Sequence, residues 1–258
     1  MGSASREALA ASRAALNGVL EQRAGTDLLA ISAQIEASSA LLTTLADASI
    51  ESAAKEQLVE RLFTSASVGA RRVLVAAVQQ SWSTPAEFVS GIEQLGIRAE
   101  AVTHSDLADQ LLAAAGTIDS SHELELALGS KLGDVEAKTG LVEKLFSGKL
   151  SEGAVAVVRH LVAHPRGRRT SAALRECARI AADQGGTDLA TVSVAAPLSD
   201  AQQQRIAELL ARSAGRAVRV TTVIDPSLVG GVRIQIGDDV IDGSVRSRLD
   251  DLRLQLAG

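Results

Sequence analysis

The sequence predicts an α+β protein: a mostly helical N-terminal bundle with an internal duplication, then a small C-terminal α+β domain. Three observations lead there. Apolar residues from 5 to 183 recur at helical spacing; residues 27–63 realign with 110–146 at an offset of 83; and after Gly185 and Gly186 the apolar period becomes that of a strand. The division implied is a helical domain over 1–184, with copies at about 5–98 and 99–184, and a C-terminal domain over 187–258.

The first helix should run from about Ser5 to Gln22, where Ala8, Leu9, Ser12, Ala15, Leu16, Val19 and Leu20 form one small, apolar stripe. Gly25, Thr26 and Asp27 read as a break and restart. A strong helix start follows at Thr84, Pro85 and Glu87. The Thr84 hydroxyl can accept the Glu87 backbone N–H, Pro85 sits where no N–H is needed, and Glu87 can reach back. The run from Ser120 to Glu123 offers a similar capping box.

The duplication pairs Leu28 with Leu111, Leu29 with Leu112, Ala30 with Ala113, Ile35 with Ile118, Leu41 with Leu124 and Leu45 with Leu128. Its clearest stretch sets Lys55–Phe63 against Lys138–Phe146, with Leu-Val-Glu-x-Leu-Phe in both. After one inserted residue, Ser67–Ala70 matches Ser151–Ala154. Chance similarity of Ala/Leu-rich helices does not hold one register across several helices. Two copies fall short of a solenoid, so the region is either one elongated helical domain or two small bundles in contact.

In the C-terminal part, residues 190–196 read as a strand, and a capping box at Ser199 and Gln202 opens a helix reaching about Ser213. Residues 217–224 alternate, placing Val218, Val220, Thr222 and Ile224 on one face. Val232, Ile234 and Ile236 share a face of the next strand, with Arg233 and Gln235 opposite. Gly237, Asp238 and Asp239 form a hairpin turn, and Val240 and Ile241 begin the return. Asp242, Gly243 and Ser244 then open a terminal helix, capped by Ser244, with Val245, Leu249, Leu252 and Leu256 along one side.

Composition narrows the chemistry. Apolar residues make up 46% but aromatics only 2%, with no Tyr and one Trp (Trp82), so platforms for stacking bases or sugars are nearly excluded. Net charge is −5, which argues against free nucleic acid as a general partner. Residues 151–185 carry 6 basic and 3 acidic side chains, a basic block centred on Arg166, Arg168 and Arg169. That loop either meets an acidic partner or anionic lipid or is a plain solvated loop. Cys177, the one cysteine, has no internal disulfide partner, falls in a helical apolar pattern and reads as a buried thiol. No apolar run is long enough to span a bilayer, and the charged N-terminal segment lacks a signal-peptide core.

Candidate reaction centres read more simply as structure. Gly230 and Gly231 precede no phosphate-loop Lys and open no helix; unusual backbone conformation or a close strand approach explains them better. His104, His122, His160 and His164 lack metal-site spacing and read as surface or capping histidines. Asp225, Asp238, Asp239 and Asp242 cluster at turns, where Asp has its own hydrogen-bonding use. Arg246 and Arg248 alternate with acids on the last helix, as a solvated face or a docking face would. No cofactor or metal is implied.

The stretch Val218, Val220, Ile224, Asp225, Leu228, Gly230, Gly231, Val232, Ile234, Gln235 and Gly237 resembles the signature of the F-type ATP synthase delta subunit family, which includes the mitochondrial oligomycin-sensitivity-conferring protein. Asp242, Gly243, Ser244, Val245, Arg246, Arg248 and Leu249 are similar to that family's ending, and 138–198 also look family-like. The resemblance implies a non-catalytic stator subunit on the cytoplasmic face of the bacterial plasma membrane. Its helical domain, commonly a six-helix bundle, would hold N-termini of the head's alpha subunits. Its C-terminal domain would engage the b subunits of the peripheral stalk. The helical part is about 80 residues longer than the family's usual form, matching the duplication. The first copy carries the N-terminal helix, so an alpha-binding groove is expected at Ala15, Val19 and Val75, beside a helix over 68–80. The docking motif of the C-terminal domain is expected at Asp225, Gly230, Gly231, Gly237, Asp242, Gly243, Ser244, Arg246 and Arg248. Two other classes stay open on the residues alone: a free-standing helical adaptor of another complex, and an enzyme using the Gly/Asp-rich C-terminal region for phosphate or metal.

Overall fold

A computed structural model describes residues 1–18, 20–130, 133–225, 228, 230–236 and 239–244. The chain divides into two compact units, Met1–Gln184 and Gly185–Gly258. The first contains α1 (Ser3–Arg13), α2 (Ala24–Ala37), α3 (Ser39–Ala46), α4 (Ser52–Leu62), α5 (Val68–Val78), α6 (Pro85–Thr103), α7 (Leu107–Asp119), α8 (His122–Gly129), α9 (Val135–Phe146), α10 (Glu152–Ala163) and α11 (Thr170–Gln184). The second contains β1 (Asp188–Val194), α12 (Asp200–Ala214), β2 (Val218–Ile224), β3 (Gly231–Ile236) and β4 (Asp239–Ser244).

The duplication is structural. Helices α2 to α6 are followed by α7 to α11 in the same order, and α2–α6 and α7–α11 are the most extensively packed helix pairs. The local bonds repeat as well. Asp27 accepts the Ser67 backbone N–H at 2.8 Å, and its counterpart Gln110 accepts that of Ser151 at 2.7 Å. Ser38 and Ser121 cap α3 and α8, and Ser67 and Ser151 cap α5 and α10. The shared Leu-Val-Glu-x-Leu-Phe stretch buries Val59 and Phe63 in one copy, Val142 and Phe146 in the other.

The helical region forms one compact unit, in which α6 belongs to both copies. That helix closes the first, as α11 closes the second, and it precedes α7–α11 as α1 precedes α2–α6. It packs on α1, α2, α3 and α5 and also on α7, α10 and α11. Phe88, Val89, Ile92, Leu95 and Ala99 join the first core, while buried Glu93, Ile97, Arg98 and Glu100 cover the rest of its circumference. Trp82, just before α6, lies edge-on to Phe88 at 5.7 Å between ring centroids and presses on Gly91, while its indole N–H donates to the Ala77 carbonyl.

The expected first helix is shorter. After α1 a 3-10 turn (Ala14–Asn17) ends at extended Gly18, so the break falls there and not at residues 25–27. Gly25 and Thr26 lie in the first turn of α2, where Gly25 meets α6: a Cβ on Gly25 would stand 2.7 Å from the Glu100 backbone nitrogen, and one on Gly96 would stand 3.2 Å from the Gly25 carbonyl. The pair lets the two backbones cross closely. The capping expectation at Thr84 holds for one bond only. Thr84 accepts the Glu87 N–H at 3.1 Å, but the Glu87 carboxylate turns to the chain start, taking Gly2 N–H at 3.0 Å and the Ser5 hydroxyl at 2.6 Å. In α8 the cap is Ser121, accepting from Leu124, and not Ser120.

Three buried charges on α6 find partners in both copies. Glu93 bonds His160 of α10 at 2.9 Å and contacts Arg166 and Arg168 at 3.1 Å each; Arg166 also pairs with Glu36 of α2 at 2.9 Å. His160 is thus a buried partner of a carboxylate, not a surface histidine. Burial opposes ionisation of Glu93, but the His160 bond and the two guanidinium charges outweigh it and hold the carboxyl at about 2. Arg98 reaches Asp183 of α11 at 2.8 Å, which also receives Arg13 at 3.3 Å. Glu100 accepts the Thr26 N–H at 2.8 Å and lies 3.3 Å from His104; here burial dominates and raises the carboxyl above its ordinary range. Cys177 is buried, and burial pushes its thiol up, away from nucleophilic use.

In the second unit the sheet order is β2-β1-β3-β4. β1 and β2 are parallel with α12 as crossover, β1 and β3 antiparallel, and β3 and β4 antiparallel. The Ser199–Gln202 capping box forms in full, and α12 stops at left-handed Gly215. Its Leu210 packs with Ala190 and Val218.

Four substitutions test these contacts, all read by chemical and thermal denaturation. Gly25→Ala should destabilise the helical unit by about 1–3 kcal/mol through overpacking. Gly116→Ala, inside α7 with open space around it, should stabilise by about 0.5–1 kcal/mol. Glu93→Gln should cost about 3 kcal/mol at neutral pH, since it removes the buried carboxylate that His160, Arg166 and Arg168 share. Because Glu93 has a depressed folded-state pKa, that difference should persist above the ordinary glutamate pKa and vanish as pH falls through about 2. Glu100→Gln, whose carboxyl is shifted the other way, should change stability at neutral pH by less than about 1 kcal/mol.

Candidate docking surfaces

The turn after α1 packs on α5, and Ala15, Leu20 and Val75 are half-buried against the first core. Val19 falls outside the described residues. Continuing the repeat register, the positions matching Ala15 and Val75 in the second copy are Arg98 and Arg159. Arg98 is committed to Asp183, and Arg159 to Glu143 at 2.8 Å. An apolar strip in one copy is therefore a line of ion pairs in the other.

In the C-terminal unit the expected faces form. Val218 and Val220 of β2 and Ile234 and Ile236 of β3 pack with the α12 side chains, and Arg233 and Gln235 point to the opposite face. Asp225 closes a turn: its N–H donates to the Val194 carbonyl at 2.9 Å and its carbonyl accepts from Leu228 at 3.1 Å. Gly230 leads into β3, whose first residue, Gly231, has φ +82°, a conformation that favours glycine. Asp242, Gly243 and Ser244 do not open a helix; they complete β4, opposite Arg233, Val232 and Gly231. The physical reasons are local. Asp242 stands across from a cation, and a Cβ on Gly243 would come within 3.2 Å of the Val232 carbonyl, so the bare glycine lets the strands approach. Gly237, Arg246, Arg248 and the helix expected after Ser244 lie outside the described residues.

Among the described residues no group of three or more His, Cys, Asp or Glu side chains is arranged to hold a metal ion. No single described helix is long and apolar enough to cross a membrane. The bent pair α2–α3 passes by composition, but Leu28, Ile31, Ile35 and Leu45 are buried in the core. Sequence reasoning missed Glu93, Arg98 and Glu100. Each is an ordinary charge in an amphipathic pattern, and only the shared use of α6 makes it buried.

The family model for the ATP synthase delta (OSCP) subunit matches residues 97–256, from inside α6 through the second copy and the C-terminal unit. The ATP synthase subunit delta of Leifsonia xyli subsp. xyli is 45% identical over 264 residues, covering 100% of both chains. Those of Kineococcus radiotolerans and Streptomyces avermitilis are 35% and 33% identical, covering 92% and 98% of this chain and 88% and 98% of theirs. A chain of the Toxoplasma gondii mitochondrial ATP synthase hexamer is 19% identical with a TM-score of 0.41, too slight a likeness to carry an argument. The first copy, outside the family match, is thus spanned by full-length relatives. On the match over most of its length and on these relatives, the chain belongs to the ATP synthase delta (OSCP) subunit family.

Proposed function

We infer that the chain is a non-catalytic stator subunit of the peripheral stalk of F-type ATP synthase, linking the catalytic head to the b subunits and resisting rotor torque. Membership in the delta family carries this reading. It leaves no room for the free-standing adaptor or for an enzyme built on the Gly/Asp-rich C-terminal region, where the described Asp225, Gly231, Asp242 and Gly243 serve a turn and strand pairing. A stator needs contacts that add across several partners, so moderate individual affinities suffice. We propose a location at the cytoplasmic face of the bacterial plasma membrane, held there through the complex.

The finer assignment is that the helical unit takes alpha N-termini at Ala15, Val19 and Val75, and that the C-terminal unit takes the b subunits through the surface organised by Asp225, Gly230, Gly231, Gly237, Asp242, Gly243, Ser244, Arg246 and Arg248. The contrast between the copies supports the first part. An amphipathic helix needs an apolar groove for its apolar face, and the ion-paired Arg98 and Arg159 deny one to the second copy.

Calorimetry of an alpha N-terminal peptide with the full chain should show at least about tenfold weaker binding for Ala15→Glu and Val75→Glu, and no change for Arg159→Glu. Unchanged affinity in the first two would remove the groove from this site. Gly231→Val forces a β-branched side chain into the left-handed region at a cost of roughly 1–2 kcal/mol, so it should detach or unfold the C-terminal unit. Head ATPase should persist while coupled synthesis fails, and normal coupled synthesis would count against the assignment.

A further inference from the structure

One helix position is filled in the second copy and open in the first. Helix α10 packs on α2, α6, α7, α9 and α11, and α5 packs on α1 with its 3-10 turn, α2, α4 and α6. Under the repeat α1, α2, α4 and α6 correspond to α6, α7, α9 and α11, so every helix around α10 has a counterpart around α5 except α2. That helix, a member of the first copy, lies across α6 and α10 of the second. Beside α1 and α5 no described helix takes the corresponding place. Burial follows: Glu93, Gly96 and Glu100 of α6 and His160 of α10 are buried, whereas in register Ala10 and Asn17 are exposed and Arg13 and Ala76 half-buried.

The direction of α2 on the second copy is set at both its ends. Its first turn meets Glu100, which accepts the Thr26 N–H at 2.8 Å and takes the space that a Cβ on Gly153, in the first turn of α10, would need. Its last turn brings Glu36 to 3.7 Å from His164, the residue that closes α10. Helix α2 thus runs parallel to α10. In the first copy the exposed Glu21 stands against Gly69 of α5 as Glu100 stands against Gly153, and accepts the Gly69 N–H at 3.0 Å. A carboxylate there suits the positive end of an incoming helix. The rest of the face is basic. Arg6, Ala10 and Arg13 lie along one side of α1, and Arg72 lies one turn before Ala76 on α5, its guanidinium against Gly18. Asp183, which Arg13 meets at 3.3 Å, is shared with Arg98.

We propose that an alpha N-terminal helix lies on the first copy as α2 lies on the second: across α1 and α5, parallel to α5, with its first turn at Glu21 and acidic side chains toward Arg6, Arg13 and Arg72. This pose rests on the reading that the first copy takes that helix, and adds its direction and its chemistry. The small side chains of Ala10 and Ala76 let a helix approach, and the arginines around them select its charge.

The test uses the nitrogen-15-labelled full chain and an alpha N-terminal peptide carrying a nitroxide at one end or the other. A label at the peptide's first residue should broaden the amides of residues 15–18 and 67–72, and one at its last residue those of 3–8 and 77–81. Ala10→Glu and Arg72→Glu, both altered at exposed side chains, should each weaken binding about tenfold, as should replacing the peptide's carboxylates by amides. Broadening with the two ends exchanged, or an affinity indifferent to both variants, would overturn the pose while leaving alpha capture standing. A peptide that does not bind at all in calorimetry would overturn alpha capture by the helical unit, and the pose with it.

Discussion

The helical unit depends on one constraint: α6 is surrounded, so every side chain on its buried length must suit a neighbour. Two cores share it, and its apolar side chains go largely to the first. Its buried charges are each answered, Glu93 and Arg98 by the second copy and Glu100 by the first copy and the end of α6 itself. Glu93 is met by His160, Arg166 and Arg168, Arg98 by Asp183, and Glu100 by the start of α2 and by His104. A buried charge is tolerable only when its partners are held in place, so a shift of register between the copies would break the Glu93 and Arg98 pairs. Arg166 extends the arrangement, since it binds Glu93 of the shared helix and Glu36 of α2 at once.

Duplication ordinarily makes equivalents, and here the equivalents have diverged according to what lies next to them. Where the first copy connects its last two helices through Trp82, folded onto Gly91, the second uses the Arg166–Arg169 loop with Arg166 and Gly167 in left-handed conformations. The first can use a bulky apolar side chain because it covers its own core. The second must answer Glu93, a carboxylate on a helix it does not own alone. Likewise Ala15 and Val75 remain half-buried and apolar while their counterparts are ion-paired arginines.

Much of this fold was legible in the sequence because its signals are local. Thr84, Ser67, Ser151 and Ser199 announce helix starts by hydroxyls that bond within one turn, and the alternation of Val218 to Ile224 declares its faces without knowing the partner strand. The duplication was visible since both copies bury the same Leu-Val-Glu-x-Leu-Phe stretch. What stayed hidden depends on distant partners. Gly25 looked like a break because a glycine near a helix end ordinarily is one, whereas its use is to let Glu100 approach from 75 residues away in sequence. Asp242 and Gly243 looked like a cap and proved to be strand, because Arg233 and Val232 opposite them determine their conformation. The docking residues were named from resemblance, and geometry adds to them mainly at Gly231 and in the contrast between the two copies.

The single indole has a spectroscopic consequence. With no tyrosine in the chain and three phenylalanines, intrinsic emission comes almost wholly from Trp82, which is buried against Phe88 and Gly91 at the head of α6. Fluorescence from this protein is therefore a local signal from the first core and the shared helix. A transition confined to the C-terminal sheet passes unseen by it, while circular dichroism records both. Disagreement between those two probes, ordinarily taken as the mark of a folding intermediate, would here report the separate melting of the two units.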